Sequence, residues 1–175
     1  MRLLHGKFLL ILIFGVNALL YGCGVGPALQ YHSDKYSYTV AFPDDWRLQP
    51  DYQLYDVAAF STHKGKVGDV REMLAVHVHD REKDLALPDI VNQMMKMGET
   101  PLKLELLSNE AATVNGIVAQ KFSSAFTVAN KRIVDLAVVF CKDDKMYVIE
   151  CMVGEEHVAE CRPLFEQCVE SFRFD

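Results

Sequence analysis

The chain carries no Gly-rich phosphate loop, no Gly-x-Ser-x-Gly, no Cys-x-x-Cys and no His-Glu-x-x-His. The familiar signatures of nucleotide binding, serine hydrolysis, dithiol chemistry and zinc proteolysis are therefore missing. It has no internal repeat, no low-complexity stretch and no block of like charges. Its 18 basic and 24 acidic residues give a net charge of −6. A dispersed acidic surface argues against nucleic acid as a partner and against electrostatic adhesion to anionic lipid. The apolar run Phe8–Leu20 covers 13 residues, short of the roughly 20 that a membrane-spanning helix needs.

What is present at the N-terminus has a different meaning. Arg2 and Lys7 precede that apolar run, and Leu20-Tyr21-Gly22-Cys23 closes it. A basic start, an apolar centre and a small-residue cleavage site make an export signal over residues 1–22. The closing tetrapeptide resembles the lipobox of bacterial lipoproteins, with Tyr21 bulkier than the residue usual there. The resemblance implies that the Cys23 thiol is acylated, by palmitate among other chains, and becomes the new N-terminus. Each buried CH₂ of such chains contributes about 0.8 kcal/mol, and two or more chains hold a protein to a bilayer stably. By the same resemblance, Gly24 after the cysteine favours the outer membrane, facing the periplasm. Removing Arg2 and Lys7 with the signal leaves 16 basic against 24 acidic residues, or −8. The remaining 153 residues are one domain's worth and can bury a substantial core.

Residues 24–35 read as a short tether, so that 23–35 is a lipidated linker and 36–175 the folded domain. Tyr36, Tyr38, Val40 and Phe42 alternate with Ser37, Thr39 and Ala41, the period-two pattern of a half-buried strand. Pro43-Asp44-Asp45 makes a turn before Trp46. Residues 54–61 give a weaker strand, and Val70–Asp80 alternates again. Pro88 and Gly98 bracket a helix over 88–97, with Ile90, Val91, Met94, Met95 and Met97 along one side. Strands follow over 102–108, 117–128, 131–141 and 146–153, with hairpin turns at Asn115-Gly116 and Asp143-Asp144. The last segment, 156–171, is helical, with Pro163 starting a second helix after a kink. The expected class is α+β, with an antiparallel sheet of about six to seven strands packed with helices.

Tyr38-Thr39-Val40-Ala41-Phe42-Pro43-Asp44-Asp45-Trp46, Asn115-Gly116 before a long strand, and Phe165 through Ser171-Phe172-Arg173-Phe174 give the chain its likeness. In this order of elements it resembles the PsbP-like superfamily, which includes the PsbP subunit and DcrB-type bacterial lipoproteins. The resemblance implies an α/β/α sandwich serving as a binding or assembly module without catalysis; the family's own partner does not carry over, and with the lipobox the expected partner is an envelope protein. The resemblance implies no cofactor.

Four cysteines remain beside Cys23, an even number that suits an oxidising compartment. Cys161 and Cys168 lie about 10.5 Å apart along one helix, too far to bridge. Cys141 and Cys151 should face opposite sides of their hairpin. Cys151 with Cys161 or Cys168 is the candidate disulfide, with free buried thiols as the alternative. His77 and His79 sit at i and i+2 of a strand, on one face, where two imidazoles can share a metal ion. Two ligands do not complete a zinc site; His32, His63 or a carboxylate would have to close it. Such a pair defines the second functional class, a metal- or small-molecule-binding protein. His157 and Cys161, four apart on a helix, sit among Glu155, Glu156 and Glu160, which disfavours a thiolate; they are not expected to be catalytic. Met94, Met95 and Met97 are expected to fill core.

Overall fold

The structure is a computed structural model, and it describes residues 28–62, 71–81 and 85–175. The export signal, Cys23 and His63 lie outside the described residues. Among the described residues, two antiparallel sheets and two α-helices make up the fold. The small sheet joins β1 (Leu29–Ser33), β2 (Tyr38–Phe42) and the short C-terminal β10 (Arg173–Phe174) in the order β1-β2-β10. The large sheet comprises β3 (Arg47–Pro50), β4 (Val57–Phe60), β5 (Met73–Asp80), β6 (Glu105–Val114), β7 (Ile117–Val128), β8 (Lys131–Lys142) and β9 (Lys145–Gly154). Its order is β3-β4-β5-β9-β8-β7-β6. Helix α1 (Leu87–Leu102) lies between β5 and β6, and α2 (Val158–Ser171) follows β9. Among the described residues no helix is long and apolar enough to cross a membrane.

The large sheet is sandwiched. On one face, even positions of β5 and β8 and odd positions of β9 meet the small sheet and α2. Leu74, Val76, Leu136, Val138, Phe140, Tyr147, Ile149 and Cys151 share one core there with Tyr38, Val40, Phe42, Phe165 and Phe172. Phe140 and Tyr147 are direct cross-strand partners with rings 5.4 Å apart, the close aromatic pairing that stabilises an antiparallel ladder. Phe172 stacks on Tyr38 at 4.8 Å, which ties the last turn of the chain to its first strands. On the other face, Ile90 and Val91 of α1 pack on Phe122, Ala137, Val139 and Val148.

Turn chemistry sets the registers. Asn115 (φ 48°) and Gly116 (φ 81°) join β6 to β7, and Ala129 (φ 49°) and Asn130 (φ 64°) join β7 to β8. Two central residues with positive φ match the twist of hairpin strands. Asp143 (φ 54°) opens the turn between β8 and β9.

Three expectations are corrected, and one strand, β3, was not anticipated. The stretch read as tether becomes strand β1 at Leu29, paired along its length with β2; its alternation is weak because most of its side chains face outward. Strand β3, four residues ending in proline, is too short to carry a period. Helix α1 runs past Gly98 to Leu102, and the Leu104 side chain occupies the space where a Cβ at Gly98 would sit. The glycine lets the chain just beyond the helix pack closely against it. Pro163 lies inside one continuous helix, which a 3₁₀ turn at Glu155–His157 precedes; no second helix starts there.

Candidate functional site

The α1 side of the large sheet is only partly covered by that helix. Beyond it lies a polar cluster with an aromatic border. The register builds it directly: Ala58, Ala75, Glu150 and Ala137 form one row across β4, β5, β9 and β8. Glu150 therefore stands between two alanines, whose small side chains leave room above the sheet. His77, one pleat along β5, reaches diagonally to it, with Nε2 3.3 Å from Glu150 Oε1. Asp135 occupies the next row, opposite Met152.

The turn between β3 and β4 closes over this floor. Asp51 and Gln53 take positive φ values of 50° and 56°. The turn is pinned by Asp51 N–H to Asp56 C=O, Tyr55 N–H to Tyr52 C=O and Asp56 N–H to Val76 C=O, each 2.9 Å. The Asp56 carboxylate faces the other side and accepts the Tyr38 hydroxyl at 2.6 Å. One buried carboxylate thus anchors the turn to the main core, while Tyr52 and Tyr55 border the site. Tyr55 donates its hydroxyl to Glu150, and its ring lies 4.0 Å from the His77 imidazole. The His77 and His79 rings lie 5.5 Å apart. Tyr52 stacks on Tyr55 at 6.2 Å and meets Phe60 edge-on at 5.0 Å. Phe60, Tyr52, Tyr55, His77 and His79 form a ladder of rings beside the two carboxylates.

The electrostatics of this cluster are unusual. Burial first, and the neighbouring Glu150 second, hold the Asp135 carboxyl well above the usual carboxylate range. No basic side chain among the described residues offsets that pair's charge on Asp135. Asp135 Oδ1 and His77 Nδ1 are both shut off from solvent without a hydrogen-bond partner, a state that costs about 1–3 kcal/mol for each group. Burial, then Glu150, raises the Tyr55 hydroxyl. Burial, then His77, lowers His79 and favours its neutral form.

The cluster offers carboxylate acceptors, imidazole nitrogens and aromatic faces, groups that can fix the orientation of a bound ligand. His77 and His79 do share one face. No group of three or more His, Cys, Asp or Glu side chains among the described residues is arranged to hold a metal ion. His32 belongs to the small sheet, where Nε2 lies 3.0 Å from Asp34 and Nδ1 3.4 Å from Thr39. Asp80 pairs with Lys145 at 2.6 Å.

The remaining candidates separate. His157 Nδ1 lies 3.5 Å from Glu160, while Cys161 turns inward to the Cys151 thiol. Cys141 sits with the α1 core and Cys151 with the opposite one. Met94 and Met95 pack against the sheet, but Met97 is 73% exposed, although it follows Ile90 and Met94 at helical spacing. Glu150, Asp135 and Tyr55 were not anticipated. Their available signal was a single carboxylate within each of two otherwise apolar strands.

Comparison with known proteins supplies the family. The fold is similar to cyanobacterial PsbP (CyanoP) from Synechocystis sp. PCC 6803, with a TM-score of 0.66 and 22% identity, covering 90% of this chain and 99% of that one. It is also similar to LpqN of Mycobacterium tuberculosis, with a TM-score of 0.57 and 16% identity over 84% of this chain and 91% of that one. A Pseudomonas aeruginosa protein of unknown function, described as a putative regulator, gives a TM-score of 0.58 at 11% identity, covering 83% and 96% of the two chains. No curated relative matches the chain. The PsbP family model matches residues 28–174, from just before the first strand to the end of the last, and the chain belongs to the PsbP family.

Proposed function

We propose that this protein is an exported lipoprotein, acylated at Cys23, whose PsbP-fold domain binds a protein partner in the bacterial cell envelope without catalysis of its own. The observation that carries the reading is the ladder of aromatic and imidazole rings over Glu150, which runs from the half-buried Tyr52 and Tyr55 to the exposed His79. The Leu20–Cys23 tetrapeptide supports the anchor, and Gly24 supports the outer membrane with the domain facing the periplasm. LpqN, of similar fold, is described as involved in cell envelope biogenesis, which supports the same compartment. Replacing Cys23→Ser should move the protein from the membrane to the soluble fraction. Crosslinking cells before solubilisation should then recover a defined envelope protein with the wild-type chain. Recovery of nothing above background would contradict the binding module.

A second reading keeps the same face and assigns it a metal ion or small ligand held by His77 and His79. The unpartnered Nδ1 of His77 favours it. Native mass spectrometry before and after replacing both histidines with alanine tests it: an unchanged bound mass removes this reading.

A further inference from the structure

We infer that Cys151 and Cys161 are a disulfide-forming pair, joined in the exported protein, while Cys141 and Cys168 stay reduced. The inference rests on the export reading for its oxidising compartment; the pairing itself rests on the fold. Cys151 lies on the core face of β9, between Leu74 of β5 and Leu136 of β8. Strand β9 ends at Gly154, and the 3₁₀ turn at Glu155–His157 reverses the chain into α2. That short return brings the first turn of the helix back over the strand it has just left. Cys161 faces inward there, and the two thiols are hydrogen-bonded to each other.

The other pairings fail on geometry. Cys141 lies in the core on the far side of the sheet. Cys168 is about 10.5 Å farther along α2 from Cys161, beyond the Cα separation a disulfide spans. Although Cys168 shares the Cys151 core, the sulfur in contact with Cys151 is that of Cys161.

The pair is also asymmetric in the way thiol oxidation uses. The Cys151 hydrogen bond outweighs burial and the nearby Glu72 and Glu160 and holds the Cys161 thiol below its usual range, where its acidic neighbours alone pointed the other way; the same bond, with burial, raises Cys151. Cys161, 5% exposed against 0% for Cys151, is the thiol nearer the surface and attacks first once deprotonated. Its Sγ bonds to one sulfur of an oxidising disulfide, of a thiol–disulfide oxidoreductase or a low-molecular-weight compound, and the other sulfur leaves as thiolate. Cys151 then loses its proton and attacks Cys161 Sγ, expelling the second oxidant sulfur. Two protein thiols give up two protons and two electrons, and the oxidant disulfide takes up both electrons to become two thiols. The product staples β9 to α2 and closes a short loop.

The test isolates the full protein from envelopes without reductant, blocks free thiols with iodoacetamide under denaturing conditions, and maps linked peptides by mass spectrometry. The expected result is a Cys151–Cys161 cross-link, with Cys141 and Cys168 alkylated. Free Cys151 and Cys161 in a chain that begins at an acylated Cys23 would overturn the disulfide while leaving export intact. A chain that still begins at Met1 would overturn the export reading instead. In that case the purified chain, equilibrated with mixed reduced and oxidised glutathione, must still link Cys151 to Cys161; free thiols or another partner would overturn the pairing. Cys168→Ser should keep the cross-link and Cys161→Ser should abolish it. A Cys151–Cys168 bridge in the wild-type protein would overturn the assignment.

Discussion

Asp135 is a buried carboxyl whose nearest charged neighbour is another carboxylate, and replacing it should stabilise the protein. Asp135→Asn keeps the shape and removes the charge. Because the Asp135 Oδ1 is shut off from solvent, solvent screening discounts the effect little. The expected gain at pH 7 is about 1–3 kcal/mol, because each pH unit over which folding must take up the Asp135 proton costs about 1.4 kcal/mol. For a domain of this size each kcal/mol moves Tm by about 2–4 °C, so the variant should melt roughly 2–12 °C higher. The sign follows from linkage. The folded state holds its Asp135 proton above the unfolded value near 3.8, so it binds more protons than the unfolded chain across that window. Stability is then lost as pH rises from the unfolded pKa toward the raised folded one. Below about pH 4 both states are protonated, and the advantage of asparagine should vanish. Thermal melts of both proteins from pH 3 to pH 8 test this. A Tm unchanged or lowered at pH 7, or a difference independent of pH, would refute the reasoning.

Other substitutions probe the core on the opposite face of the large sheet. Tyr38→Phe removes the 2.6 Å hydrogen bond to Asp56 and should cost about 1.5–3 kcal/mol in urea unfolding, as for bonds to charged groups. Phe172→Ala empties a fully buried site stacked on Tyr38 and edge-on to Phe140; a loss of about 3–5 kcal/mol is expected by the same assay. Burial pushes the Cys168 thiol up to about 12. It should resist alkylation at pH 8 in the native state and react once the chain is denatured, as mass spectrometry of timed samples will show.

The C-terminal half of the fold was legible because its strands are long and their turns carry chemistry. Asn115-Gly116 and Asp143-Asp144 mark reversals that the backbone then makes with positive φ, and the apolar alternation of β8 and β9 fixes which residues enter the core. The N-terminal strands were harder to read. In β1 the outward residues predominate, and β3 has no room for a period. Gly98 and Pro163 misled for one reason: each normally ends a helix, and here tertiary packing keeps the helix going. The candidate site was half visible. His77 and His79 follow from strand parity alone. Glu150 and Asp135 did not stand out, since a lone carboxylate in a strand reads as solvated until the covering elements are known. The turn carrying Tyr55 covers them from a distant part of the sequence.

Site-specific photo-crosslinking in living cells tests the binding face most directly. A benzophenone side chain placed at His79, the exposed end of the ring ladder, should give one discrete adduct with an envelope protein. The same probe at Glu110, on the exposed edge strand β6, should give none. Equal labelling from both positions, or an adduct from Glu110 alone, would contradict the assignment of this face as the surface through which the protein acts.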